Sequence, residues 1–200
     1  MKNNQKSSLL KKGVFTLLFL ASSVVAFAQT SLKVDPNHSR LGFVVTHLGI
    51  ADVIGYFDKF DVNISSAKGD FSDAVVTLTA DINSINTGIA QRDKHLKTAD
   101  FFDAEKFGTM TFKSTSVKKV AENKYTLTGD LTFHGVTKAV TMDVLHRGTV
   151  KNPASGEDVT GIQLTGKIKR SDFNLGSKFP APMISDEVII KADGEFGPAK

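Results

Sequence analysis

The chain has 200 residues, 40% of them hydrophobic, with 25 Lys and Arg against 21 Asp and Glu, and it contains no cysteine. Without cysteine there is no disulfide framework, no thiolate nucleophile and no lipid-anchored N-terminal cysteine. The basic excess lies wholly in residues 1–28, which carry Lys2, Lys6, Lys11 and Lys12 and no acid; the remaining 172 residues balance at 21 of each sign, so charge gives no reason to expect nucleic acid or an anionic membrane as partner.

Residues 1–28 have the order of a secretory signal peptide: a basic head, an apolar run from Val14 to Val25, and Ala26-Phe27-Ala28 as a small-x-small cleavage signal before Gln29. The run is shorter than the about 20 apolar residues that a membrane span needs. The expectation is an exported chain with the periplasm as destination and no stable membrane insertion after the leader is removed. Residues 29–200 are long enough for one domain with a substantial core.

Alternating apolar residues then recur along the chain. Leu41, Phe43 and Val45 form the first run, followed by Phe60, Val62 and Ile64, and by Val76, Leu78, Ala80 and Ile82. Further on come Tyr125, Leu127, Gly129, Leu131 and Phe133, then Val140, Met142 and Val144, then Ile162, Leu164, Gly166 and Ile168. Val188, Ile190, Ala192, Gly194 and Phe196 close the series. A period of two gives each strand one apolar and one polar face, and seven or eight such strands joined mostly by short polar turns predict an all-β antiparallel sandwich or closed barrel. The segment Thr87 to Phe107 breaks the alternation, and its spacing predicts one or two short helices, with Thr87 as N-cap, covering one end of a barrel. Lys151 to Asp158 is a surface loop. Small residues on the inward faces (Ala80, Gly129, Gly166, Ala192, Gly194) either leave room for a ligand or sit opposite bulky Phe and Met side chains.

Specific blocks add to this pattern. They are Asp35-Pro36-Asn37-His38-Ser39 with Phe43 and His47, Gly55 and Phe57, and Ser84-Ile85-Asn86-Thr87. Arg92-Asp93-Lys94-His95-Leu96-Lys97-Thr98-Ala99-Asp100-Phe101-Phe102 is the longest, and Thr111-Phe112-Lys113-Ser114, Gly129-Asp130-Leu131-Thr132, Gly135-Val136-Thr137-Lys138 and Gly166-Lys167-Ile168 with Arg170, Asp172 and Phe173 follow. In order and spacing these resemble the YceI-like family of lipid- or polyisoprenoid-binding proteins. The resemblance covers nearly all of residues 29–200. It implies a lipocalin-like, eight-stranded antiparallel β-barrel with a short helical insertion, a long-chain amphiphile held inside, a periplasmic setting and, in many members, a homodimer. Gly108 departs from the proline that members often carry before the strand starting near Thr109.

On this reading the hydrophobic cavity wall is Phe43, Val45, Phe60, Val62, Leu78, Leu127, Leu131, Met142, Leu164, Ile168 and Ile190. His47, Arg92, Asp93, His95 and Arg170 are the candidates for a polar mouth. Arg92 and His95 either hold a phosphate or amide head group, or Arg92 and Asp93 cap the helix and pair with neighbouring loops. Arg170 shares parity with Ile168, and a buried guanidinium needs a partner: Asp172 on the same face, or a head group at the cavity mouth. His146 reads as a rim residue, and His38 and His134 as turn residues. Asp93 and His95 lack the third ligand that a metal site needs, so no metal or cofactor is expected. No GxSxG elbow, phosphate-cradling glycine loop or HExxH motif is present in the sequence. The expected function is non-catalytic binding, transport or sequestration of an isoprenoid or fatty amphiphile. The alternatives are a filled barrel that acts as an envelope interaction protein, or a hydrolase acting on an amphiphile.

Overall fold

The alternating runs fold into strands of one antiparallel sheet, seen in a computed structural model that describes residues 29–199. The proposed leader lies outside the described residues. In chain order the strands are β1 (Thr30–Val34), β2 (Arg40–His47), β3 (Ala51–Phe57), β4 (Phe60–Ser66), β5 (Val75–Asp81) and β6 (Ile85–Asn86). The helix α1 (Ala90–Leu96) follows, then β7 (Thr109–Ala121), β8 (Lys124–Phe133), β9 (Val136–Lys151), β10 (Asp158–Lys169) and β11 (Glu187–Pro198).

Pairing runs β1-β4-β5-β7-β8-β9-β10-β11 and returns to β1, where Val34 meets Phe196, so eight strands close into a barrel and leave no sheet edge around the ring. The three remaining short strands extend members of that ring. After a 3-10 turn at Pro36–His38, β2 carries the first stave onward beside β11 and β3, while β3 and β6 prolong β4 and β5. The result is an up-and-down meander in which every stave pairs with its sequence neighbour.

Four strands do not stand out as alternating runs, and each has a physical reason; the two-residue β6 is too short to show any period. Only Leu32 and Val34 of the five-residue β1 are buried, too short a run to show a period. In β3 the inward positions include Gly55, which has no side chain to mark the face. In β7 a bulge between Ser114 and Ser116 inserts a residue, so the inward parity changes from Met110 and Phe112 to Val117, opposite Leu127.

The connections divide between two ends. At one end, 67–74 folds inward so that Phe71 and Ala74 pack with Leu32, Val34, Ile64 and Phe196, held by a hydrogen bond from the Tyr125 hydroxyl to the Asp70 carbonyl (2.8 Å). The opposite end carries the β2–β3 hairpin, the 87–108 connection with α1, the His134-Gly135 turn and the 170–186 connection. Its core gathers Phe57, Ile82, Ile85, Phe133, Phe173 and Leu175. The helix α1, the one α-helix among the described residues, matches the expected insertion, but Thr87 is not its cap. The N-cap is Ile89, which makes no side-chain capping bond.

Candidate functional site

Inside the barrel is a cavity of about 580 Å³, within the roughly 300–1,000 Å³ typical of small-molecule sites. Phe43, Val45, Phe60, Val62, Leu78, Leu127, Leu131, Met142, Leu164, Ile168 and Ile190 all line it. Most of them are only half-buried although they point inward, because the space they face is open; Leu127, Leu131 and Met142 are buried. Side chains that met at the barrel axis would have been buried throughout. The lumen is therefore unfilled.

The small inward residues do not create this space directly. The position where Gly129 would carry a Cβ is occupied by the Phe112 ring, and that of Gly166 by the Met142 sulfur. The second of the two readings of these residues holds at both sites. Each glycine lets a long neighbour lean over the wall, and that posture keeps its bulk out of the lumen.

At the end bearing α1, the lining includes His47, Arg92, His95 and Arg170. Asp93 is not with them. Its Oδ1 accepts hydrogen bonds from the Thr87 amide (2.8 Å) and the Thr87 hydroxyl (2.6 Å), and it borders a separate shallow polar depression with Asp58, Lys59 and Asn83. Arg92 donates from Nε to the Thr87 hydroxyl (2.7 Å) and from Nη2 to the Thr87 carbonyl (2.7 Å). Thr87 thus links the two residues, and Asp93 positions Arg92 through it.

The parity of Arg170 with Ile168 predicts a strand-face position, paired with Asp172 or touching a head group. The residue instead opens a 3-10 turn, is 8% exposed, and has no carboxylate partner. Its guanidinium donates to the carbonyls of Ser185 (3.0 Å), Leu175 (2.8 Å), Gly176 (2.9 Å), Phe179 (2.5 Å) and Ile184 (3.1 Å). Those bonds use its whole fork of five donors and gather the 170–186 connection around one side chain. Asp172 is exposed.

The 170–186 connection adds lining residues that the alternating pattern did not reveal: Leu175, Phe179, Met183 and Ile184. The available signal was the gap in alternation between Ile168 and Val188, too long for a hairpin turn. Phe179 stacks on Phe101 at 4.7 Å, and the His95 ring stands edge-on to both at 5.7 and 5.2 Å. Lys178 and His95 both contact Asp100 (2.5 and 3.2 Å), tying the two connections together across the cavity end. The Lys178 ammonium, followed by His95, holds the Asp100 carboxyl below its ordinary value of 3.8. His47, His95 and Met183 are the exposed members of the lining here and mark the mouth. Toward the other end, His146 lies half-buried against Phe71 at 5.6 Å, and desolvation lowers its pKa from the ordinary 6.5. Among the described residues no group of three or more His, Cys, Asp or Glu is placed to hold a metal ion.

Residues 32–196 match the YceI-like domain. The chain belongs to the YceI-like family. Over 171 residues it is 40% identical to a UPF0312 protein of Staphylococcus aureus (strain bovine RF122), covering 84% of this chain and 97% of that one. Among solved structures, BcnA of Burkholderia cenocepacia superposes with a TM-score of 0.72 at 27% identity, over 81% of this chain and 98% of that one. A polyisoprenoid-binding domain from Saccharophagus degradans has the same fold, with a TM-score of 0.64 at 19% identity over 85% of this YceI-like chain and 99% of the domain.

Proposed function

We propose that this YceI-like barrel binds one long-chain amphiphile, a polyisoprenoid or a fatty chain, in its lumen and carries or sequesters it without chemical change. The observation that carries this reading is the unfilled cavity with its almost wholly apolar wall. Each buried methylene contributes roughly 0.8 kcal/mol, so ten carbons yield about 8 kcal/mol, against an association cost of about 4–15 kcal/mol. A longer chain therefore binds by burial alone, and the head group sets selectivity. The polyisoprenoid-binding domain of Saccharophagus supports the same class of ligand through its shared fold. A carrier is favoured over an enzyme because the acids nearest the mouth are engaged in structural contacts, Asp93 with Thr87 and Asp100 with Lys178 and His95. The leader sequence supports export, with the periplasm as the proposed compartment.

Native mass spectrometry of the protein purified from its own envelope, followed by solvent extraction, tests the reading. The expected result is a stoichiometric long-chain amphiphile, lost from a folded Ile168→Glu variant. A clean apo mass, with no uptake of prenyl or fatty probes, would instead support an interaction protein. Retention of lipid by the folded Ile168→Glu variant would refute the luminal assignment.

A further inference from the structure

Resting on the carrier reading, we infer that the β2–β3 hairpin tip, with the 180–184 segment bound to it, is a docking surface for a lipid bilayer through which the mouth exchanges its amphiphile. The two segments form one apex beside the mouth. Leu48 donates its amide to the Met183 carbonyl (3.0 Å), His47 and Ile184 form an isolated antiparallel bridge, and Pro182 lies beside Gly49. His47, Met183 and Ile184 line the cavity, whereas Leu48 and Ile50 are not part of its wall. Ile50 is 85% exposed, Leu48 53% and Met183 45%, so three large apolar side chains meet solvent at this apex. Exposed apolar surface of this kind marks a contact with a partner or a membrane.

The turn conformation shows that the apolar tip has a cost. The Ile50 amide donates to the His47 carbonyl (3.1 Å), and Leu48 (φ 53°) and Gly49 (φ 73°) both occupy the left-handed region, as in a type I′ hairpin. That turn favours Asn, Asp or Gly at its first central position, and a bulky side chain there is strained. Elsewhere among the described residues, positive φ outside glycine falls on Asp103, Asn123, His134 and Asn174, types that tolerate it, and on Phe71, which packs into the plugged end. Leu48 has neither a tolerant side chain nor a buried setting. Strain held in an exposed apolar residue points to a use for that side chain.

Charge selects the occupant. Neither Leu41 to Ala51 nor Phe179 to Ser185 contains Lys, Arg, Asp or Glu, and His47 is the one titratable side chain in the two stretches. The charges next to the tip are already engaged. Asp52 accepts from the Thr46 hydroxyl (3.0 Å), Lys178 pairs with Asp100 (2.5 Å), and Asp186 accepts from the Ser171 amide (3.0 Å) and hydroxyl (2.8 Å). An uncharged apex flanked by charges of both signs complements a hydrocarbon layer beneath zwitterionic head groups. A protein partner fits less well, because a tip of three side chains falls far short of the about 800 Å² per partner of a stable interface. With the tip in the bilayer, the mouth lining at His47, Met183 and Ile184 meets the head-group layer, and a chain passes from lipid to lumen without crossing bulk water.

The test uses the purified protein and vesicles of phosphatidylcholine, alone or with phosphatidylglycerol. The protein should float with both to a similar extent and with little dependence on salt, because the contact is apolar. Ile50→Asp changes an exposed side chain, so the circular dichroism spectrum and the uptake of a monomeric fluorescent fatty probe from water should stay as they are. Burying an isoleucine side chain corresponds to roughly a ten- to hundredfold change in partition. Vesicle binding, and the rate of probe transfer from vesicles, should therefore fall at least about tenfold in Ile50→Asp and recover in Ile50→Leu. Leu48→Asn supplies the residue that the turn prefers, so it should raise the midpoint of chemical denaturation while weakening docking. Slower transfer with normal uptake from water supports the inference. Flotation and transfer that survive Ile50→Asp overturn it and leave the carrier reading standing, and so does flotation that requires phosphatidylglycerol or disappears in salt. A gain in stability with normal docking in Leu48→Asn overturns the part given to Leu48. A native dimer, measured by light scattering, that Ile50→Asp dissociates assigns the tip to a second copy and overturns the bilayer as occupant. Failure to take up the probe even from water overturns the carrier reading and this inference with it.

Discussion

At the end that holds 67–74, closure comes from apolar side chains: Phe71 and Ala74 fold in against Leu32, Val34, Ile64 and Phe196. At the α1 end, closure depends on polar organisation, with Arg170 collecting five carbonyls of one long connection and the Lys178–Asp100–His95 contacts joining that connection to the other. An apolar plug degrades gradually, because losing one side chain leaves its neighbours to relax. A hub does not. Arg170→Met should therefore cost about 3 kcal/mol or more, since several buried carbonyls lose their donor at once, each worth roughly 1–3 kcal/mol. Phe71 is only half-buried, so Phe71→Ala should cost about 1–2 kcal/mol, below the 3–5 kcal/mol of a fully buried Phe. Chemical denaturation of both variants measures the contrast, and equal losses would remove the distinction between the ends.

The wall between the ends offers a second, smaller effect. Gly166 faces the Met142 sulfur and Gly55 faces the Phe43 ring, so a side chain at either glycine must push its neighbour toward the lumen. Gly166→Val and Gly55→Ala should destabilise by about 1–3 kcal/mol through overpacking. They should also reduce uptake of a fluorescent fatty probe, because the displaced bulk enters the cavity. A variant that is destabilised but binds the probe normally would show that the barrel relaxes outward instead.

The middle of the barrel was far more legible than its ends. Period-two runs such as Leu127 to Phe133 and Leu164 to Ile168 place each side chain by parity alone, and the wall residues read that way do line the cavity. Parity carries no information past the end of a strand. Arg170 continues the spacing of Ile168 in sequence, but its backbone has already turned into the 3-10 segment, so its partners come from residues up to fifteen positions later. Arg92, Asp93 and His95 stand in one block of the sequence, yet Arg92 and His95 border the lumen while Asp93 borders the separate polar depression, a division that their order in the block does not show. Phe112 and Val117 share the inward face at an odd spacing because of a bulge that no residue pattern announces.

The two ends should also respond to acid at different pH. His146, beside Phe71 at the plugged end, has its pKa lowered by desolvation. The folded protein then binds fewer protons than the unfolded chain just below the ordinary imidazole value of 6.5. Stability consequently falls as pH drops below 6.5 toward the depressed value, and the loss is complete beneath it. Asp100 at the mouth has the opposite chemistry, a carboxyl held low by Lys178 and then by His95. Its contribution is fully present above 3.8 and is lost only as pH falls through the still lower folded value. Acidification should thus loosen the contacts of Phe71 first and those joining Lys178 to Asp100 later. Ring resonances of Phe71 and Phe179, followed by NMR across the titration, report the two ends separately. In His146→Phe the earlier change at Phe71 should disappear while the later change at Phe179 remains. If both rings shift together in the native protein, the ends are one cooperative unit and the order derived from these two groups is wrong.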